Sequence, residues 1–195
     1  MKKSYFGNKV SSILTGWAFS AALLIPLVGH ASANKFIDSG DYKDKEFKTC
    51  NINDYSQMIE DGDVNWVWLS NDIKLADHGV AIAKIENKSA KAKKSDSETV
   101  QTSLQYAIED AKLEKKANTL NADICIYDVQ NYSFGKRFIP FSGGYLAQAG
   151  VGVEVTLRDG DKTVAMMRHF TREGSSIKEA ADEVAEDVFD YIAKH

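Results

Sequence analysis

Apolar and polar residues alternate most regularly between residues 150 and 158. Val151, Val153, Val155 and Leu157 interleave there with Gly152, Glu154, Thr156 and Arg158. A period of two predicts a strand with one buried face and one wet face. Asp159-Gly160 is a hairpin signal, and Thr163 to Thr171 returns as a second strand with Val164, Met166 and Phe170. Gly174 ends it. Ser176 and Glu179 then make a capping-box pair, whose side chains satisfy orphan backbone donors at a helix start. Ile177, Ala181, Val184, Val188 and Ile192 line one face of that helix. Glu179, Asp182, Glu183, Glu186, Asp187 and Asp190 line the other and read as solvated.

A second helical stripe lies upstream: Val100, Leu104, Ala107, Ile108 and Ala111, opened by Ser95 and Glu98 and stopped by Asn118 or Asn121. Three further segments read as strands from their β-branched and aromatic content. They are Val64 to Leu69, Gly79 to Glu86, and Asp123 to Tyr132. In the last of these, Cys125 and Tyr127 alternate with the aliphatic residues, so its inward face stays open. Neither helix can bury its stripe alone. An α+β two-layer sandwich solves this, with a mostly antiparallel sheet of about five strands and two helices on one face. The opposite face is solvated or covered by the polar segment 34–63. Trp66 and Trp68 point the same way and are candidates to anchor such a cover.

The first 33 residues change the address. Lys2, Lys3 and Lys9 precede an apolar run over residues 10–28, and Ala31-Ser32-Ala33 follows. This pattern predicts a signal peptide cut between Ala33 and Asn34, leaving an exported, periplasmic, soluble protein. Residues 34–63 then form a polar N-terminal segment and 64–195 a single α+β domain. The leader holds three lysines and no acids, so removing it leaves 21 of the 24 basic residues against 28 acidic ones, a net charge of −7. That balance predicts no nucleic-acid partner, which needs a clustered basic face. In an oxidising compartment Cys50 and Cys125 pair as a disulfide; the alternative is two buried thiols.

The segment from Gly150 to Ile192 resembles a family of small exported bacterial envelope proteins of unknown function, many of them lipoproteins. The carrying residues are the run Val151 to Asp159 with Gly160, then Ser176 to Ala181 continuing to Val188 and Tyr191-Ile192, with Ala122-Asp123 at a matching strand start. The resemblance implies a fold similar to the amino-terminal α+β domain of TolB-type envelope proteins. A lipidated cysteine common in that family is missing at the cleavage point, so membrane anchoring does not carry over. No functional residues transfer.

Candidate chemistry concentrates in residues 134–150, which mix aromatics, glycines and two adjacent cations. Phe134, Lys136, Arg137, Phe138, Phe141 and Tyr145 form a candidate partner-binding loop, for an envelope protein or, peripherally, a membrane surface. The alternative is a hairpin connection whose aromatics fold back on the sheet. Lys84, Lys88, Lys91, Lys93 and Lys94 read as a solvated basic run. His78, His169 and His195 lack ligand spacing, so no metal and no cofactor is expected. No nucleophile elbow appears, and no catalytic residue is assigned. The expectation is a non-enzymatic binding or assembly module of the cell envelope. A small enzyme or ligand carrier, with its site between the N-terminal segment and the sheet near Trp66, Trp68 and His169, is the alternative. A deep pocket with converging polar groups favours the latter; exposed loop aromatics favour the former.

Overall fold

Two amphipathic helices and a set of alternating strands leave one economical packing, and the computed structural model has it. The structure describes residues 48–138 and 144–195; the expected leader and cleavage site, residues 34–47 and Phe141 lie outside the described residues. The elements are β1 (Ile59–Glu60), β2 (Trp66–Leu69), β3 (Gly79–Asn87), α1 (Lys94–Asp110), β4 (Thr119–Gln130), β5 (Ala149–Asp159), β6 (Lys162–Glu173) and α2 (Ile177–Lys194). Among the described residues they form one sheet in the order β1-β2-β6-β5-β4-β3. All neighbouring pairs are antiparallel except β3 with β4, which α1 joins by the crossover that parallel strands require. The fold is therefore α+β, with a sixth, two-residue strand at the edge.

Both helices lie on one face. Val100, Leu104 and Ile108 of α1 and Ala181, Val184, Val188 and Ile192 of α2 share one buried cluster with Val151, Val153, Val155 and Leu157. The β5–β6 register sets Val153 opposite His169 and Val155 opposite Met167. Ser103 Oγ donates to Asp182 Oδ1 at 2.6 Å and ties the two helices together.

Several boundaries differ from the sequence reading. α1 starts before Ser95, because the Asp96 carboxylate accepts from the Lys93 backbone N–H at 2.8 Å and so caps an earlier turn. It ends at Asp110 rather than at Asn118 or Asn121. Lys112 takes the left-handed conformation usually left to glycine or asparagine, at φ 58°, and the buried Leu113 draws the chain into the core. Asn121 accordingly lies inside β4, which starts at Thr119 and ends at Gln130. The capping box at Ser176 and Glu179 forms as the sequence implies.

The largest departure concerns β5. Its supposedly wet face is dry: Glu154 is 0% exposed and Thr156 is buried too. The cover is the segment from Lys48 to Met58. Ile52, Tyr55 and Met58 form a second buried cluster there against Trp66, Trp68 and Met166. The two tryptophans thus do anchor a strap across the sheet.

Candidate functional site

The strap is held by chemistry rather than by area. Cys50 and Cys125 are joined in a disulfide, which fixes the strap to the middle of β4. Beside it lies Glu154, facing Arg168 across the β5–β6 register. The Glu154 carboxylate accepts from the Arg168 guanidinium and from Tyr55 Oη, at 2.6 Å, on one oxygen. The other oxygen accepts from the backbone N–H groups of Asn51 at 2.8 Å and Ile52 at 3.2 Å. Four donors match the roughly four acceptor sites of a carboxylate. A buried charge is costly unless paired and bonded in this way.

Arg168, only 6% exposed, is similarly occupied. Its Nη1 also donates to the Lys48 carbonyl at 2.9 Å, and its guanidinium stacks 3.6 Å from the centre of the Tyr127 ring. Tyr127 lies over Gly152, where a Cβ would stand 2.5 Å from the tyrosine Cζ. Ala122, Ile124 and Ile126 face the helices, so Cys125 and Tyr127 alternate onto the strap face, and a bulge after Ile126 returns Val129 to the helix side. Burial, and for Tyr55 also the bond to Glu154, pushes both tyrosine hydroxyls well above their usual pKa of 10.0. Burial raises Asp128 as well, but bonds from Gln130 and Lys48 outweigh it, and its pKa sits below 3.8.

These groups make a poor active site. Glu154 has no acceptor site left for a substrate proton. His169, named in the alternative reading, is separated from the tryptophans: it faces α2. Its Nδ1 accepts from the Asn65 backbone N–H at 3.2 Å, so the imidazole proton sits on Nε2 and points to Asp187 Oδ2 at 2.7 Å. Asp187 is therefore not a merely solvated acid. Both ring nitrogens are thus hydrogen-bonded within the fold. Among the described residues no three His, Cys, Asp or Glu side chains converge as a metal site, and no helix is long and apolar enough to cross a membrane. Of the basic run, Lys84 and Lys88 pair with Glu86, and Lys88 also donates to the Cys50 carbonyl at 3.1 Å.

The candidate loop is arranged differently. Its base is closed by the Ser133 N–H on the Ala147 carbonyl at 2.9 Å, and Ala147 is buried. Arg172 of β6 braces it, bonding Gln130 and the Gln148 carbonyl, with its guanidinium over the Tyr145 ring. From this base the aromatics project outward. Phe134, Phe138 and Tyr145 are 63%, 70% and 52% exposed, and Phe134 meets Phe138 edge-on with ring centres 5.3 Å apart. Leu146 and Tyr132 are exposed beside them. Lys136 and Arg137 belong to the backbone turn Phe134–Phe138. Hence the described aromatics of the loop do not fold back on the sheet.

Sequence reasoning missed the Glu154–Arg168–Tyr55 network. One signal pointed at it: a bridge from Cys50 to Cys125 forces the N-terminal segment across the β4 neighbour of Glu154.

No protein-family model matches the chain, and neither does any curated protein. Among solved structures the chain is similar to the PelC dodecamer of Paraburkholderia phytofirmans. One such structure, of a PelC variant, is 12% identical, covers 65% of this chain and 96% of that one, and gives a TM-score of 0.46. A second is 10% identical over 63% and 93% of the two chains, with a TM-score of 0.43.

Proposed function

We propose that this protein is a non-enzymatic binding or assembly module of the cell envelope, exported to the periplasm, that docks on a protein partner through the Phe134–Leu146 loop. The carrying observation is the exposed aromatic group on a braced base. Exposed apolar patches of this kind commonly mark contact surfaces, and aromatic side chains supply most interface anchoring energy. The saturated bonding of Glu154, Arg168 and His169 supports binding over catalysis. The leader over residues 1–33, the disulfide and the resemblance of Gly150 to Ile192 to small exported envelope proteins support the compartment.

Photocrosslinking in intact cells tests the reading. A photoreactive residue at Phe138 is expected to give a discrete protein adduct. The same residue at Tyr106, an exposed aromatic on α1, is expected to give none. Equal labelling from both positions, or an adduct unaffected by Tyr145→Ser, contradicts docking through the loop.

A further inference from the structure

The strap does more than cover the sheet, because its far edge leaves a groove of about 280 Å³ between itself and the β5–β6 hairpin. The half-buried Trp68 forms one wall. Asn51, Asn53 and Gln57 of the strap, with Arg158 and Thr163 of the hairpin, contribute the polar wall. The polar groups here are mostly amides and hydroxyls.

Few of these groups are used within the fold. Asp54 accepts from the Ser56 N–H at 2.9 Å, and Arg158 Nε donates to Asp123 at 2.9 Å. Among the described residues the side chains of Asn53, Gln57 and Thr163 make no hydrogen bond. Asn51 Nδ2 and the buried Thr156 Oγ1, both on lining residues, are also without a partner. Buried polar atoms are rarely left so, and these two lie behind the groove surface, on residues that line it.

Each side-chain amide offers a donor and an acceptor together, as does each hydroxyl of a sugar. A lysine or glutamate offers only one kind. An indole face matches the apolar C–H face of a pyranose ring. The one acid, Asp54, is bonded to Ser56 and the one guanidinium, Arg158, is paired with Asp123, so the groove offers little to a strongly charged ligand. We propose that this groove is a subsite for a neutral saccharide, with Trp68 as the platform for one ring and Asn53, Gln57 and Thr163 as partners of its hydroxyls. The volume is at the lower end of ligand sites, so the groove suits one or two rings of a longer glycan and weak, roughly millimolar, affinity. This site is independent of the aromatic loop.

Cellotetraose, maltotetraose and chitotetraose are the probes, titrated into the isotopically labelled protein and followed by NMR. At least one is expected to shift the Trp68 indole N–H and the Asn53 and Gln57 side-chain amides in a saturable way. Asn53 and Gln57 are exposed, so the double variant Asn53→Ala/Gln57→Ala keeps the fold; it is expected to weaken that binding about tenfold, as befits two lost hydrogen bonds. Phe138→Ser is expected to leave it unchanged. Absence of saturable shifts at Trp68 with all three probes overturns the proposal. So do shifts that survive the double variant or that centre on the 134–146 loop.

Discussion

The two faces of the sheet are covered by different means. On one, the helices α1 and α2 lay aliphatic stripes on alternating valines and leucines, and cohesion is spread over many interchangeable contacts. On the other, a short aperiodic strap is held by one disulfide, one buried ion pair and three large apolar side chains. A face built by area tolerates the loss of a contact in proportion to volume. A face built around a buried charge does not, because the partner left behind is stranded without water or a counter-ion. Both sides carry a groove, but the one on the strap side is walled by the strap itself, whereas that on the helix side lies between α1 and α2.

This contrast can be broken most directly at Glu154. Glu154→Ala is expected to cost about 3–5 kcal/mol in urea unfolding, since it strands Arg168. The joint variant Glu154→Met/Arg168→Met is expected to recover most of that loss. Leu104→Ala on the helix face is expected to cost about 2–5 kcal/mol, with no such rescue available. If the joint variant is as unstable as the two single losses added, the charge pair is not the organising feature.

Next in size is the disulfide, which closes a separation of 75 residues. Cys50→Ser/Cys125→Ser is expected to lower stability by about 2–5 kcal/mol. Its Trp66 and Trp68 fluorescence should shift red at lower denaturant than the helical circular dichroism signal changes, because the strap detaches before the helix face melts. Coincident transitions would show instead that both faces fail together.

Gly152 tests the aromatic filling of the strap face. A methyl group there collides with Tyr127, so Gly152→Ala is expected to cost about 1–3 kcal/mol, read by calorimetric melting. The smallest effect lies in alkaline pH. Tyr55 and Tyr127 hold their protons more tightly folded than unfolded, chiefly through burial. Their contribution is complete below pH 10 and is lost as pH rises above it, where the unfolded phenols ionise first. Tyr191 on the helix side, pushed up to about 12 by burial, behaves alike. Tyr55→Phe should therefore flatten the alkaline fall in stability without removing it.

The helix face was legible in the sequence because periodicity records it. Val151 to Leu157 repeat every second residue, and α2 repeats every three to four behind the Ser176 cap. The strap face was not, because periodicity carries no information about a cover supplied from elsewhere in the chain. An alternation that sends Glu154 outward is correct about direction and silent about what lies beyond. Tyr55 and Asn51 sit in a stretch with no period, so nothing local marks them as its partners. The Phe134–Tyr145 loop was visible through composition alone. Its exposure depends on Arg172 bracing the base, a contact made across two strands.

Amide hydrogen exchange at Asn51 and Ile52 probes the strap at its two backbone bonds to Glu154. Both amides should be strongly protected in the native protein, and Glu154→Gln should speed their exchange while the α2 amides stay slow. Exchange of Asn51 and Ile52 at free-peptide rates in the unaltered protein would mean that the strap does not cover the sheet.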